Sequence, residues 1–234
     1  MHSVGSAPGN GEQLLMRTRY VTELESVRQN LIAMGETTIE LLGAALRAVV
    51  DPNPDSSARA SELESQTDHQ HRVIHDQCLN LITLQAPVAR DARLVTGVLD
   101  AIVDLELIGD YAYEMVGLAS SKQGRPPSQM LNQIAEVGGK IQEILSTAIQ
   151  SWRQADRGLA LSARPREAAL RAECHALSEK VTQLTSAPGD VTAYVNLLLV
   201  CRHLERILRH AVCVAEQAAE AAAPPSGDSL NNKA

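Results

Sequence analysis

At 234 residues, 44% of them hydrophobic, the chain is long enough to bury a substantial core as one domain or two small ones. It contains no Phe, four Tyr and one Trp, so the core falls to Leu, Ile, Val and Ala, which give bases nothing to stack on. A net charge of −7 also opposes a phosphate backbone, so nucleic acid is excluded as the expected partner, and a metal ion or a small basic partner suits the charge better.

In chain order, residues 1–13 are rich in Gly, Ser, Pro and Asn and read as a disordered N-terminal tail. The same stretch lacks the basic start and apolar run of a signal peptide. No later apolar run approaches the roughly 20 residues that span a bilayer, so a cytoplasmic location without membrane insertion is expected. Apolar residues then recur at helical spacing in six long stretches. They are separated at DPNPD (51–55), QAP (85–87), QGRPPS (123–128), SARPRE (162–167) and SAPGD (186–190). Residues 223–234 read as a second disordered tail. Short connections between long helices favour antiparallel neighbours, which predicts an all-α antiparallel six-helix bundle. Cys78, Cys174, Cys201 and Cys213 form no CxxC pair and lie in apolar helical patterns, as buried free thiols do.

On the second helix Glu64, Asp68, His71 and His75 follow at intervals of four, three and four, one stripe made of metal-ligating residue types. The third helix repeats that spacing at Leu99, Val103, Glu106 and Asp110, where two acids continue an apolar stripe. Alone, such a pair reads as the solvated edge of a buried face. If the two stripes face each other, four carboxylates converge, and each like pair about 6 Å apart repels by about 3 kcal/mol at an effective dielectric of about 20. Such a site takes up protons or binds cations. Oxygen donors with one or two imidazoles suit iron, manganese or zinc, and magnesium if the histidines stay out. A hydrated polar helix face is the alternative.

The sixth helix shows that the chain is duplicated. VDLELIGDYAYEMVGLA (103–119) aligns at a constant offset with RHLERILRHAVCVAEQA (202–218), matching Leu105 to Leu204, Glu106 to Glu205, Ile108 to Ile207 and Ala112 to Ala211. The expected units are a first three-helix repeat over 14–122 and a second, diverged one over 128–222. In the copy Arg209 stands for Asp110 and Leu208 for Gly109, so the stripe Leu198, Arg202, Glu205, Arg209 is cationic on balance. A divalent cation would be repelled there, and no metal is expected in the second half. The plain reading of these arginines is ion pairing with Glu167, Glu173 or Glu205. An anion site at Arg202, Arg206 and Arg209 is the alternative.

The segment Asp104-Leu105-Glu106-Leu107-Ile108-Gly109-Asp110-Tyr111-Ala112 resembles the D-L-E-R-I-G-D-x-A signature of PhoU proteins, with Leu107 in place of the Arg. Gln85, Pro87, Ala89, Asp91 and Arg93 are similar to that family's turn between second and third helices, and Met34-Gly35 fits its first helix. The likeness runs from about residue 17 to 220.

The resemblance implies multinuclear metal clusters held by E(D)xxxD motifs, which fall here on Glu64 and Asp68 and on Glu106 and Asp110. His71 and His75 are not required by it and stand as additional candidate ligands. Where the family shows a second such motif on the fifth helix, this chain offers Arg164, Arg166 and Arg171. The resemblance further implies a homodimeric, non-catalytic adaptor that represses phosphate-starvation signalling. Its partners would be a phosphate-sensing histidine kinase and the ATPase of a phosphate ABC transporter. A ferritin-like metal-dependent enzyme is the competing reading. It needs Glu-x-x-His on two core helices, and the chain has a single Asp68-x-x-His71. A diverged helical metal-binding protein is a third.

Overall fold

The breaks in the apolar pattern work through local chemistry. Pro54 opens a helix, where its missing N–H has no partner to lose, and Asn53 caps it by accepting the Ser56 backbone N–H at 2.8 Å. In the computed structural model, which describes residues 10–85, 87, 89–120, 126–184 and 191–224, such breaks separate six long helices and one short one. They are α1 (Asn10–Val50), α2 (Pro54–Gln85), α3 (Ala89–Ala119), α4 (Ser128–Gln154), α5 (Arg157–Leu161), α6 (Arg164–Leu184) and α7 (Val191–Ala221). No strand occurs among the described residues, and none of their helices is long and apolar enough to cross a membrane.

Two boundaries differ from the sequence pattern. The first is at the N-terminus, where α1 begins at Asn10. Residues 10–13, expected in a tail, are therefore helical, because Glu12, Gln13 and the leucines after them are good helix formers that extend the first helix backwards. Residues 1–9, and 225–234 of the tail expected at the other end, lie outside the described residues. The second is the fourth break, which falls earlier than SARPRE. Ala155 adopts the left-handed region (φ 50°, ψ 39°) and stops α4. Asp156 then caps the five-residue α5 by accepting the Leu159 N–H at 3.0 Å. Pro165 lies inside the first turn of α6, where no intrahelical N–H bond is required.

The long helices pack in two layers. In the first, α2, α3, α7 and α6 lie side by side; α1 and α4 cover its back, with α1 on the first repeat and α4 on the second. The contact between α3 and α7, which joins the repeats, is the most extensive. The core is almost wholly aliphatic, with Leu41, Leu42, Leu105, Ile108 and Ile141 completely buried. Trp152 is its one large aromatic, and its indole N–H donates to the Val214 carbonyl at 3.1 Å. Cys78, Cys174 and Cys201 are buried free thiols, and Cys213 is half-buried. Burial pushes the Cys78 and Cys201 thiols up to about 12, which keeps them protonated and inert.

Behind the first layer, α1 and α4 meet through the same contact made twice. Gly35 packs against Ile149 and Gly138 against Leu46, so closely that a Cβ on either glycine would collide with the facing side chain. Gly138 and Ile149 each lie 103 residues after Gly35 and Leu46, which makes this interface an internal twofold. Gly35→Ala is expected to cost about 1–3 kcal/mol through overpacking, read as a lower urea midpoint, with partial recovery on adding Ile149→Val. A wild-type midpoint would show that Ile149 yields freely.

Candidate metal centre

Register between α2 and α3 is set by buried side chains. Leu63 and Thr67 on α2 face the core beside Leu105, Ile108 and Ala112 on α3. Gly109 sits directly against Thr67, where a Cβ would lie 3.4 Å from its methyl carbon. One position on from each buried α2 residue come Glu64 and Asp68, which this register turns toward Asp110.

Carboxylate oxygens of Glu64, Asp68 and Asp110 all lie within 4.8 Å of one another. Glu106, one turn before Asp110, faces His71 instead, with Oε1 3.4 Å from Nδ1. His75 stands beside Asp76, at 3.5 Å from Nδ1 to Oδ1, and its ring centroid is 6.3 Å from that of His71. Three of the four acids expected to converge thus do so directly. The fourth is held next to them by a histidine, and His75 points to an acid outside the group.

The group is electrostatically unbalanced. Partial burial pushes the Asp110 carboxyl up to about 6, reinforced by the charges of Glu106, Asp68, Glu64 and Glu114. Among the described residues no Lys or Arg pairs with these carboxylates. His71, whose Nδ1 faces Glu106, has its Nε2 buried without a hydrogen-bond partner. A set of hard oxygen donors with excess negative charge and one spare imidazole nitrogen fits a metal ion.

The second repeat is arranged differently. Arg171 pairs with Glu167 and Arg202 with Glu205, each within its own helix, while Arg164 reaches Glu216 and Arg166 meets Glu143 at 2.9 Å. Glu173 pairs with Lys140 at 2.8 Å and not with an arginine. Arg206 lies over the Tyr111 ring, 5.3 Å from its centroid. Of the three arginines that had an anion site as their alternative, ion pairing therefore absorbs Arg202, Arg206 is held over an aromatic ring, and Arg209 has no carboxylate partner among the described residues.

One polar cluster escaped the sequence pattern. Between α3 and α7, Asp104 meets His210 Nδ1 at 2.7 Å and accepts from the Gln217 amide at 2.7 Å. Tyr111 stacks on His203 with centroids 5.5 Å apart and also contacts His210, while His203 Nε2 lies 3.2 Å from Glu114. Burial holds the His203 imidazole below its ordinary range, with Glu114 opposing the shift and Arg206 adding to it. The available signal was His203 and His210, seven residues apart and so on one face of α7, the face that is buried.

Comparison with known proteins agrees with the fold and the duplication. The PhoU domain family matches the chain twice, over residues 31–119 and 134–218. A relative from Pseudomonas aeruginosa, a phosphate-specific transport system accessory protein PhoU homolog, is 28% identical over 201 residues, covering 85% of this chain and 83% of its own. A protein of the same description from Synechocystis sp. is 27% identical over 201 residues, covering 86% and 90%. The crystal structure of PhoU from Pseudomonas aeruginosa superposes with a TM-score of 0.79 at 25% identity, over 85% of this chain and 96% of that one. That of the phosphate transport system regulatory protein PhoU from Streptococcus pneumoniae, at 18% identity, shares the fold with a TM-score of 0.76 over 85% and 94%. Both halves match the same domain in tandem and across most of their length, and the chain is a member of the PhoU family.

Proposed function

We propose that the protein is a PhoU-type accessory regulator of phosphate uptake and a repressor of phosphate-starvation signalling, working as a non-catalytic adaptor. The observation that carries this reading beyond family membership is the uncompensated carboxylate group on the open face of α2 and α3. Glu64, Asp68 and Asp110 would hold a metal ion, with Glu106 beside them and His71 offering its spare nitrogen. His75, turned to Asp76, is the weakest candidate of the set. Iron, manganese or zinc suits these donors, and magnesium suits the carboxylates alone. The ion supplies positive charge that lets these acids share one surface. The chain's own residues fix where that surface lies, on the outside of the four-helix layer and away from the core.

The partners that the family resemblance points to are the ATPase of a phosphate ABC transporter and a phosphate-sensing histidine kinase. The relatives, phosphate-specific transport system accessory proteins, support the first. The adaptor is placed in the cytoplasm, as a homodimer, with its repeats at 14–122 and 128–222. A ferritin-like enzyme fits the structure less well: its ligands belong in a bundle core, and here they sit on a helix face without a second imidazole motif. Affinity purification from phosphate-replete cells is expected to recover the transporter ATPase and the kinase. Recovery of neither, under replete and starved conditions alike, would sink the adaptor reading.

A further inference from the structure

We infer that the second repeat retains the four-residue site of the first with both aspartates replaced by arginines, so that tethered guanidinium groups stand where the first repeat gathers carboxylates around a cation. The inference rests on the metal reading above and concerns a different part of the molecule.

The correspondence follows from burial. From α3 to α7 the offset is 99 residues, and it matches buried to buried at Val98 and Leu197, Leu105 and Leu204, and Ile108 and Ile207. From α2 to α6 the offset is 103, with buried Thr67, Ile74 and Cys78 matching buried Leu170, Leu177 and Val181. These two registers convert Glu64 and Asp68 into Glu167 and Arg171, and Glu106 and Asp110 into Glu205 and Arg209. Each Glu-x-x-x-Asp has become Glu-x-x-x-Arg, once on each helix.

Contacts across the helix pair agree with that register. His71 touches Glu106 in the first repeat. The corresponding Cys174 and Glu205 are close enough for the carboxylate to help burial raise the thiol. Burial raises the Cys213 thiol, one turn after Arg209 on α7, and the charges of Asp104, Glu216 and, last, Glu167 of α6 add to the rise while Arg209 opposes it. Glu64 likewise adds to the rise at Asp110.

The electrostatic outcome is opposite in the two halves. Three carboxylates gather in the first with Glu106 beside them, while two glutamates and two arginines take the four corresponding positions in the second. Arg171 donates to Glu167, and Arg202 supplies a further guanidinium to Glu205. Arg209 is exposed and has no carboxylate partner among the described residues. A divalent ion approaching this place meets fixed positive charge, and the glutamates it would need are already engaged. The charge of the first face thus varies with metal supply, whereas that of the second is built in.

The inference predicts that charge reversal reopens the second site. Arg171→Asp with Arg209→Asp is expected to roughly double the Mn²⁺ retained per chain at equilibrium dialysis, relative to wild type. Asp68→Asn with Asp110→Asn in the wild-type background is expected to abolish retention. Both arginines are exposed, and circular dichroism checks that the reversed protein folds. Should the double variant unfold, Arg209→Asp alone supplies the third carboxylate and is expected to raise retention above wild type. Retention unchanged by folded reversal variants, in a wild-type protein that binds Mn²⁺, overturns this inference and leaves the metal reading standing. Retention undiminished by Asp68→Asn with Asp110→Asn also overturns it, because the two positions that became arginines in the second repeat would then not be ligands in the first. A wild-type protein that binds no Mn²⁺, iron or zinc overturns both.

Discussion

Asp104→Ala is expected to lower stability by about 3–5 kcal/mol, seen as a large fall in the urea midpoint. The side chain is only 14% exposed and stands between the repeats, with His210, 10% exposed, on one oxygen and Gln217 on the other. Truncation strands both partners inside the most extensive helix contact of the molecule. Their positions are already stretched, since His210 Nε2 and Gln217 Oε1 are buried without partners of their own. Asp104→Asn keeps the shape and one good acceptor, so its cost should be smaller, about 1.5–3 kcal/mol, the range for a hydrogen bond to a charged group. Equal costs for the two variants would mean that packing, not the polar seam, joins α3 to α7. A wild-type midpoint for Asp104→Ala would remove any role for the seam in stability.

That seam also marks where reading the sequence stopped. Period and spacing placed Glu64, Asp68, Glu106 and Asp110 on two stripes, because ligands on one helix announce themselves by intervals of three and four. The facing of α2 and α3 could be anticipated from a short connection. The partnership of Asp104 with His210 could not, because the two are separated by 106 residues and meet only through the packing of one repeat on the other. The diversion of Glu106 toward His71 was hidden for a different reason. Residues on one stripe still differ by a few tens of degrees around the helix, enough to send neighbouring acids to different partners. The early end of α4 was hidden because Ala155 is a residue that gives no hint of a left-handed conformation, and Asp156 announces the next helix only once that turn is known.

Asp110→Asn is expected to act with opposite sign in the presence and absence of metal. Without metal, Asp110 sits among Glu64, Asp68 and Glu106, and its carboxyl is pushed up to about 6, so at neutral pH its charge opposes the fold. Removing that charge should stabilise the metal-free protein modestly, by about 1 kcal/mol after allowing for the solvent exposure of the site. With metal the effect reverses. A ligand that binds only the folded state stabilises it by about 2.7 kcal/mol at a hundredfold excess over its Kd, and the variant forfeits this gain when the oxygen that closes the group is lost. Thermal unfolding at pH 7 with chelator and with added Mn²⁺ reads both arms. The wild type should rise with metal, and the variant should start higher and stay flat. Such a crossing separates a ligand role from a structural one, because a residue that merely packs α3 against α2 would shift both arms the same way. Parallel curves for wild type and variant would therefore remove Asp110 from the ligand set even if the protein binds metal elsewhere.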